Sequence, residues 1–217
     1  MTSPRLKLIE IYRSIQGESS WAGAPCTFIR AAGCNLRCSW CDSEYTFKGG
    51  RWWSLDEILA EVERLGPGLV ELTGGEPLLQ RAAPALLQAL VDQGRTVLLE
   101  TSGSLPVDAV PAEVHRIVDL KAPGSGEHEA NLPEVIAALG PRDEVKLVLK
   151  DRADYEWARD QISIHQLGER CGAVLLSPVH GALDPAELTA WLLEDRLPAR
   201  LNLQLHKLIW PPDARGV

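Results

Sequence analysis

Residues 33–45 read GCNLRCSWCDSEY and hold Cys34, Cys38 and Cys41, three of the five cysteines in the chain. The stretch follows an apolar run, CTFIRAAG at 26–33, and leads into a carboxylate, a hydroxyl and an aromatic ring. The loop from Asn35 to Trp40 is short and partly polar, so its thiols can wrap a compact inorganic body. A closed zinc site takes four ligands, usually as two separated pairs, and the sequence offers no second Cys-x-x-Cys and no His-x-x-x-His. A 4Fe-4S cluster also takes four thiolates as a rule, so three leave one iron open to a chelating small molecule.

Outward from this loop the apolar character of 26–33 recurs. GLVELTGG at 68–75, RTVLLETSG at 95–103, HRIVDLKAP at 115–123, EVKLVLK at 144–150, GAVLLSPV at 172–179 and RLNLQLHK at 200–207 are too continuous for half-exposed strands. Helical patterns fill the gaps. Ser54 with Glu57 forms a capping box ahead of an apolar face of Leu55, Ile58, Leu59, Val62 and Leu65. Asp184 before Pro185 and Glu187 opens another helix, and Asn131 before Leu132, Pro133 and Glu134 a third. This alternation predicts an α/β protein with a parallel sheet, curled into a partial barrel or left open. The strands end in Cys34, in Gly74-Gly75-Glu76-Pro77, in Thr101-Ser102-Gly103, in Lys121 and in Ser177-Pro178, the edge at which barrels carry their active sites.

With 217 residues, 45% hydrophobic and 24% charged, the chain fits one domain spanning residues 1–217. The net charge of −8 argues against a nucleic-acid partner, and no apolar run has the length of a membrane helix. A charge-alternating N-terminus and an odd cysteine count point to the reducing cytoplasm. Cys26 and Cys171 read as buried small hydrophobes.

CxxxCxxC with Trp40 before its last cysteine, followed one strand later by Gly-Gly-Glu-Pro at 74–77, resembles the radical S-adenosylmethionine superfamily. Membership implies a 4Fe-4S cluster on Cys34, Cys38 and Cys41, with S-adenosylmethionine chelating the open iron and the Gly-Gly-Glu segment meeting its amino group. Reductive cleavage then yields a 5′-deoxyadenosyl radical, which takes a hydrogen atom from the substrate. The implied fold is a minimal (β/α)6-type partial TIM barrel.

SIQGE at 14–18 and Arg30, four residues before the first cluster cysteine, are similar to the 7-carboxy-7-deazaguanine synthases, as is QLHK at 204–207. The resemblance implies a lyase that contracts the ring of 6-carboxy-5,6,7,8-tetrahydropterin to 7-carboxy-7-deazaguanine with loss of ammonia, on the route to queuosine and other 7-deazapurines. Arg30 would grip the substrate carboxylate with a two-pronged guanidinium. Ile15, Gln16, Gly17 and Glu18 would meet the hydrogen-bonding edge of the pterin, with Thr73 and His206 also in reach. S-adenosylmethionine would touch Trp40, Asp42, Gly75, Glu76, Ser102, Lys121 and Ser125. Ser43 stands where the family usually has a threonine that ligates Mg²⁺, and it keeps the hydroxyl. DLKAPGSGE at 119–127 departs from the SPK pattern of many members. A flavodoxin or ferredoxin would donate electrons, and the assembly is open, a homodimer included. Two other readings are a glycyl-radical activating enzyme, which acts on a protein, and a metal-stabilised binding module without chemistry. IQGE and Arg30 speak against the first, and the missing fourth ligand against the second.

Overall fold

A computed structural model describes residues 4–211 and 214–216. In chain order the elements are β1 (Arg5–Ile15), β2 (Pro25–Ala31), β3 (Arg51–Ser54), α1 (Leu55–Leu65), β4 (Leu69–Gly74), α2 (Ala83–Asp92), β5 (Thr96–Thr101) and β6 (His115–Asp119). They continue with α3 (Pro133–Ala137), β7 (Glu144–Leu149), α4 (Arg152–Ile164), α5 (Leu167–Arg170), β8 (Ala173–Pro178), α6 (Pro185–Glu194), β9 (Arg200–Leu201) and α7 (Leu205–Ile209). One nine-stranded sheet runs in the order β3-β1-β2-β4-β5-β6-β7-β8-β9. From β2 to β9 every pairing is parallel, while β1 pairs antiparallel with both β2 and β3. Because β3 and β9 are edges, the sheet is not closed, and the architecture is the partial barrel expected.

Side chains alternate between faces along each strand. Ile29, Val70, Leu72, Val97 and Leu99 pack against α1 and α2, whose Ile58, Val62, Leu86, Leu87 and Leu90 are buried. Val118, Val145, Leu147 and Leu176 pack against α4 and α6 through Tyr155, Ala158, Ile162 and Leu188. The opposite face begins as a small apolar cluster of Cys26, Phe28, Leu69, Leu98 and Ile117. Two residues further along their strands, on that same inner face, stand Arg30, Glu71, Glu100 and Asp119. Lys146 faces inward from β7, because its neighbours Val145 and Leu147 face the helices. A charged floor thus overlies an apolar plug.

The local signals account for some boundaries and miss others. The capping box at Ser54 is formed at both ends, Ser54 Oγ accepting from Glu57 N and Glu57 accepting from Ser54 N. Asp184 caps α6 through Ala186 N. Asn131 does not cap α3; its side chain instead clasps Lys121, accepting from the backbone N–H and donating to the carbonyl at 2.9 Å each. The expected strand at 200–207 is two residues long, because Asn202 turns inward and α7 begins at Leu205. His206 therefore lies on a short helix and not on the last strand. No helix forms between β5 and β6. Cys26 is fully buried as expected, whereas Cys171 is only partly buried, because it sits at the C-terminal end of α5.

Candidate active site

The C-terminal ends of the parallel strands surround a cavity of about 700 Å³. The cysteine loop forms one wall. Gly33 N donates to Thr46 O and Glu76 N to Gly33 O, both at 2.8 Å, so the loop is tied to the Gly-Gly-Glu-Pro turn. A Cβ on Gly75 would collide with the Gly33 carbonyl and come within 2.9 Å of Cys34 Cβ, which explains a glycine there. On the far side, Ser39 N and Oγ donate to the carbonyls of Ser125 and Gly124 at 2.9 Å, and Asn35 donates to Ser104 Oγ at 2.9 Å. The segment that departs from the SPK pattern thus holds the loop in place.

Cys34, Cys38 and Cys41 all line the cavity, and none is in a disulfide. Burial raises all three thiols, so their thiolates call for cationic partners. Among the described residues no three His, Cys, Asp or Glu groups are drawn together tightly enough for one metal ion. Thiols set around a shared space suit a cluster, in which each meets a different iron, better than a single zinc. The donor set therefore fits the 4Fe-4S cluster.

Arg30 lines the cavity from β2, but it is not a lone charge in an apolar strand. Its Nε donates to Glu10 Oε1 at 2.8 Å and its Nη2 to Tyr12 Oη at 2.7 Å, both from β1. Tyr45 donates to the same Glu10 oxygen at 3.1 Å, and the guanidinium lies 5.9 Å from the Tyr45 ring centre. Nη1 has no protein partner among the described residues, so a planar donor edge is held rigidly toward the cavity.

The loop after β1 supplies Gln16, Gly17 and Glu18. Gln16 is buried and its amide is spent within the protein: Nε2 donates to Glu71 and Oε1 accepts from Glu18 N at 2.8 Å. A Cβ on Gly17 would fall 2.5 Å from His206 Nδ1, and Gly17 O accepts from Leu205 N at 2.9 Å. The bare backbone at Gly17 thus lets α7 lie across this loop and place His206 over the cavity. Burial holds the His206 imidazole below its ordinary value, so it is neutral at physiological pH.

Burial works to raise the Glu18 carboxyl, yet the Lys146 ammonium and the hydrogen bonds from Gln204 and Lys146 together hold it below the usual range. Glu71, enclosed and facing Glu100, is pushed well above it. Lys146 is itself buried, but Glu100, Glu18 and Asp119 around it hold it charged. Lys121 bonds Asp119 Oδ2 at 2.9 Å.

Of the residues singled out in the sequence, Ile15, Gln16, Gly17, Glu18, Arg30, Trp40, Asp42, Ser43, Thr73, Gly75, Ser102, Lys121 and His206 line this one cavity with the three cysteines. Glu76 stands behind the lining: fully buried, it accepts from Thr101 Oγ1, Ser102 N and Oγ, and Leu78 N. Ser125 spends its hydroxyl on Ala122 O at 2.6 Å. Ser43 precedes a 3₁₀ turn without capping it, and its hydroxyl donates to Asp42 Oδ1 at 3.1 Å. Asp42 in turn accepts from Lys207 Nζ at 2.8 Å. Sequence reasoning missed Glu10, Tyr12, Tyr45, Glu71, Glu100, Asp119, Lys146 and Lys207, and also Arg215, which lines the cavity with its guanidinium 4.3 Å from the Tyr45 ring centre. The inner-face charges left a partial signal, since Arg30, Glu71, Glu100, Asp119 and Lys146 each stand at the inward parity of a largely apolar strand.

A family model described as the radical SAM superfamily matches residues 28–121. The chain is 51% identical to a 7-carboxy-7-deazaguanine synthase of Koribacter versatilis, covering 98% of this chain and all of that one. It is 48% identical to the synthase of that name from Chlorobaculum tepidum, covering 100% and 99%. The structure of QueE from Escherichia coli superposes with a TM-score of 0.75 at 23% identity, covering 92% of this chain and 94% of that one. Streptococcus suis SuiB bound to its precursor peptide SuiA shares the fold, with a TM-score of 0.56 at 13% identity over 81% of this chain and 47% of that one.

Proposed function

We propose that this chain, which belongs to the 7-carboxy-7-deazaguanine synthase family of the radical S-adenosylmethionine superfamily, converts 6-carboxy-5,6,7,8-tetrahydropterin to 7-carboxy-7-deazaguanine with release of ammonia. The observation that carries the reading is that Cys34, Cys38, Cys41, Arg30 and the Gln16–Glu18 loop line one cavity. When bound, the cluster on the three cysteines and S-adenosylmethionine supply the electron and the hydrogen-abstracting radical. The chain's own residues do the rest. Arg30 offers its free edge to the substrate carboxylate, while Glu10 and Tyr12 prevent the guanidinium from swinging away. Glu18 stays ionised and accepts from the donor edge of the heterocycle, and neutral His206 over Gly17 closes the loop side of the cavity. Gly75 lets the Gly-Gly-Glu-Pro turn pack directly on the cysteine loop at Gly33 and Cys34, which sets the turn beside the cluster thiols.

In this reading Mg²⁺ binds at the Ser43 hydroxyl, Trp40, Asp42, Gly75, Ser102 and Lys121 meet S-adenosylmethionine, and Glu76 acts by fixing Ser102. The chain acts as one domain in the cytoplasm and takes electrons from a flavodoxin or ferredoxin. Anaerobically reconstituted protein, given reductant, S-adenosylmethionine and the carboxylated pterin, is expected to release 7-carboxy-7-deazaguanine. S-adenosylmethionine cleavage with no deazapurine would refute the substrate assignment.

A further inference from the structure

The floor of the cavity is organised around one ammonium. Lys146 Nζ bonds Glu18 Oε2 at 3.0 Å, bonds Glu100, and lies 3.6 Å from Asp119 Oδ2. Its side chain is 7% exposed. The three carboxylates come from the loop after β1 and from the neighbouring strands β5 and β6, so one cation ties that loop to the edge of the sheet. Glu18 also accepts from Gln204 Nε2 at 3.0 Å and Asn202 Nδ2 at 3.4 Å, which carries the arrangement to the segment bearing His206. Without the ammonium, Glu18 would face Glu100 and Asp119 across a space with little water, and like charges so enclosed move apart or take up protons.

We propose that Lys146 is a positioning residue for the pterin: by fixing Glu18 as an ionised acceptor aimed into the cavity, it sets the affinity for the heterocycle without being required to touch it. The inference rests on the function proposed above. Glu100 is secondary, because Lys146 keeps its bond to Glu18 when the Glu100 charge is removed.

The test uses reconstituted full-length protein and reads iron and sulfide content, pterin affinity by titration in the presence of S-adenosylmethionine, and the division of turnover between KM and kcat. Lys146→Met/Glu100→Gln removes one positive and one negative charge, so Glu100 is not left as a second unpaired carboxylate beside Glu18. It is expected to load its cluster normally, bind the pterin at least about tenfold more weakly and show the loss in KM more than in kcat. Lys146→Arg, which keeps a cation at the centre, should recover binding to within about threefold, and Glu100→Gln alone should stay within that range. A double variant binding within about twofold of the parent would overturn the proposal, as would Glu100→Gln alone matching the double variant's loss. A parent protein that binds no pterin would overturn the functional reading and this proposal together.

Discussion

The inner face of the sheet carries two layers of side chains that stand two residues apart and behave as opposites. The lower layer, Cys26, Phe28, Leu69, Leu98 and Ile117, is apolar and packed. The upper layer, Arg30, Glu71, Glu100, Asp119 and Lys146, is ionisable, and its members answer one another, residues of β1 or residues of the loop after it. Both are largely enclosed, the upper layer somewhat less, so burial alone is not what separates them. The lower layer gains free energy from being enclosed, about 25 cal/mol per Å² of apolar surface, whereas the upper layer tolerates enclosure only through its partners. One pleat of strand thus takes the molecule from a layer that contributes stability to one that contributes chemistry.

Substitutions that touch one layer should leave the other's signature intact. The greatest loss belongs to the rim above the charged floor. Cys34→Ala should abolish deazapurine formation and the brown colour of anaerobically purified protein, with the fold kept by circular dichroism; full turnover would separate the thiols from the chemistry. In the lower layer, Leu98→Ala removes a fully buried side chain and should cost about 2–5 kcal/mol in urea unfolding. Its pterin affinity, measured where it is folded, should not change; a loss there would show that the layers are coupled.

Arg30→Ala removes a charged hydrogen-bonding partner and should weaken pterin binding by about 1.5–3 kcal/mol, with cluster content unchanged. Unaltered affinity would break the assignment of Arg30 to the carboxylate. The smallest effect is a gain. Glu71 is pushed up by its enclosure and by Glu100, so the folded state holds its proton where the unfolded chain has released one. Its favourable contribution is complete below the ordinary carboxylate value and fades as pH rises toward the higher folded value. Glu71→Gln is immune to this loss and still accepts from Gln16. It should therefore be more stable than the parent by a margin that grows in urea titrations as the pH rises above the ordinary carboxylate value. A margin that stayed flat would mean Glu71 is ionised in the fold.

Much of this contrast was visible in the sequence. Apolar runs located β2 and β4 to β8, and their chemical ends located the cavity rim. Three things escaped. Arg5–Ile15 alternates charge and apolarity, the mark of a strand with one wet face, and its antiparallel pairing supplies the Glu10 and Tyr12 that hold Arg30. Residues 200–207 look like a strand by composition, but Asn202 gives its side chain to Ser177 and Glu18, and the ladder stops after Leu201. The charges of the floor read as ordinary strand polarity until the register placed them together, since ion pairs spanning 46 and 128 residues leave no local trace.

Asn202 Oδ1 accepts from Ser19 N across 183 residues, and Gln204 reaches Glu18 across 186. A ribosome building this chain makes Ser19 and Glu18 183 and 186 residues before the partners that clasp them. Until the later segment emerges, the loop after β1 has neither its clasp nor its covering helix, and contacts of such long range are entropically slow to close. The nascent protein therefore has most of its hydrophobic layers before it has a finished pocket, and competence arrives as one of the last events of folding.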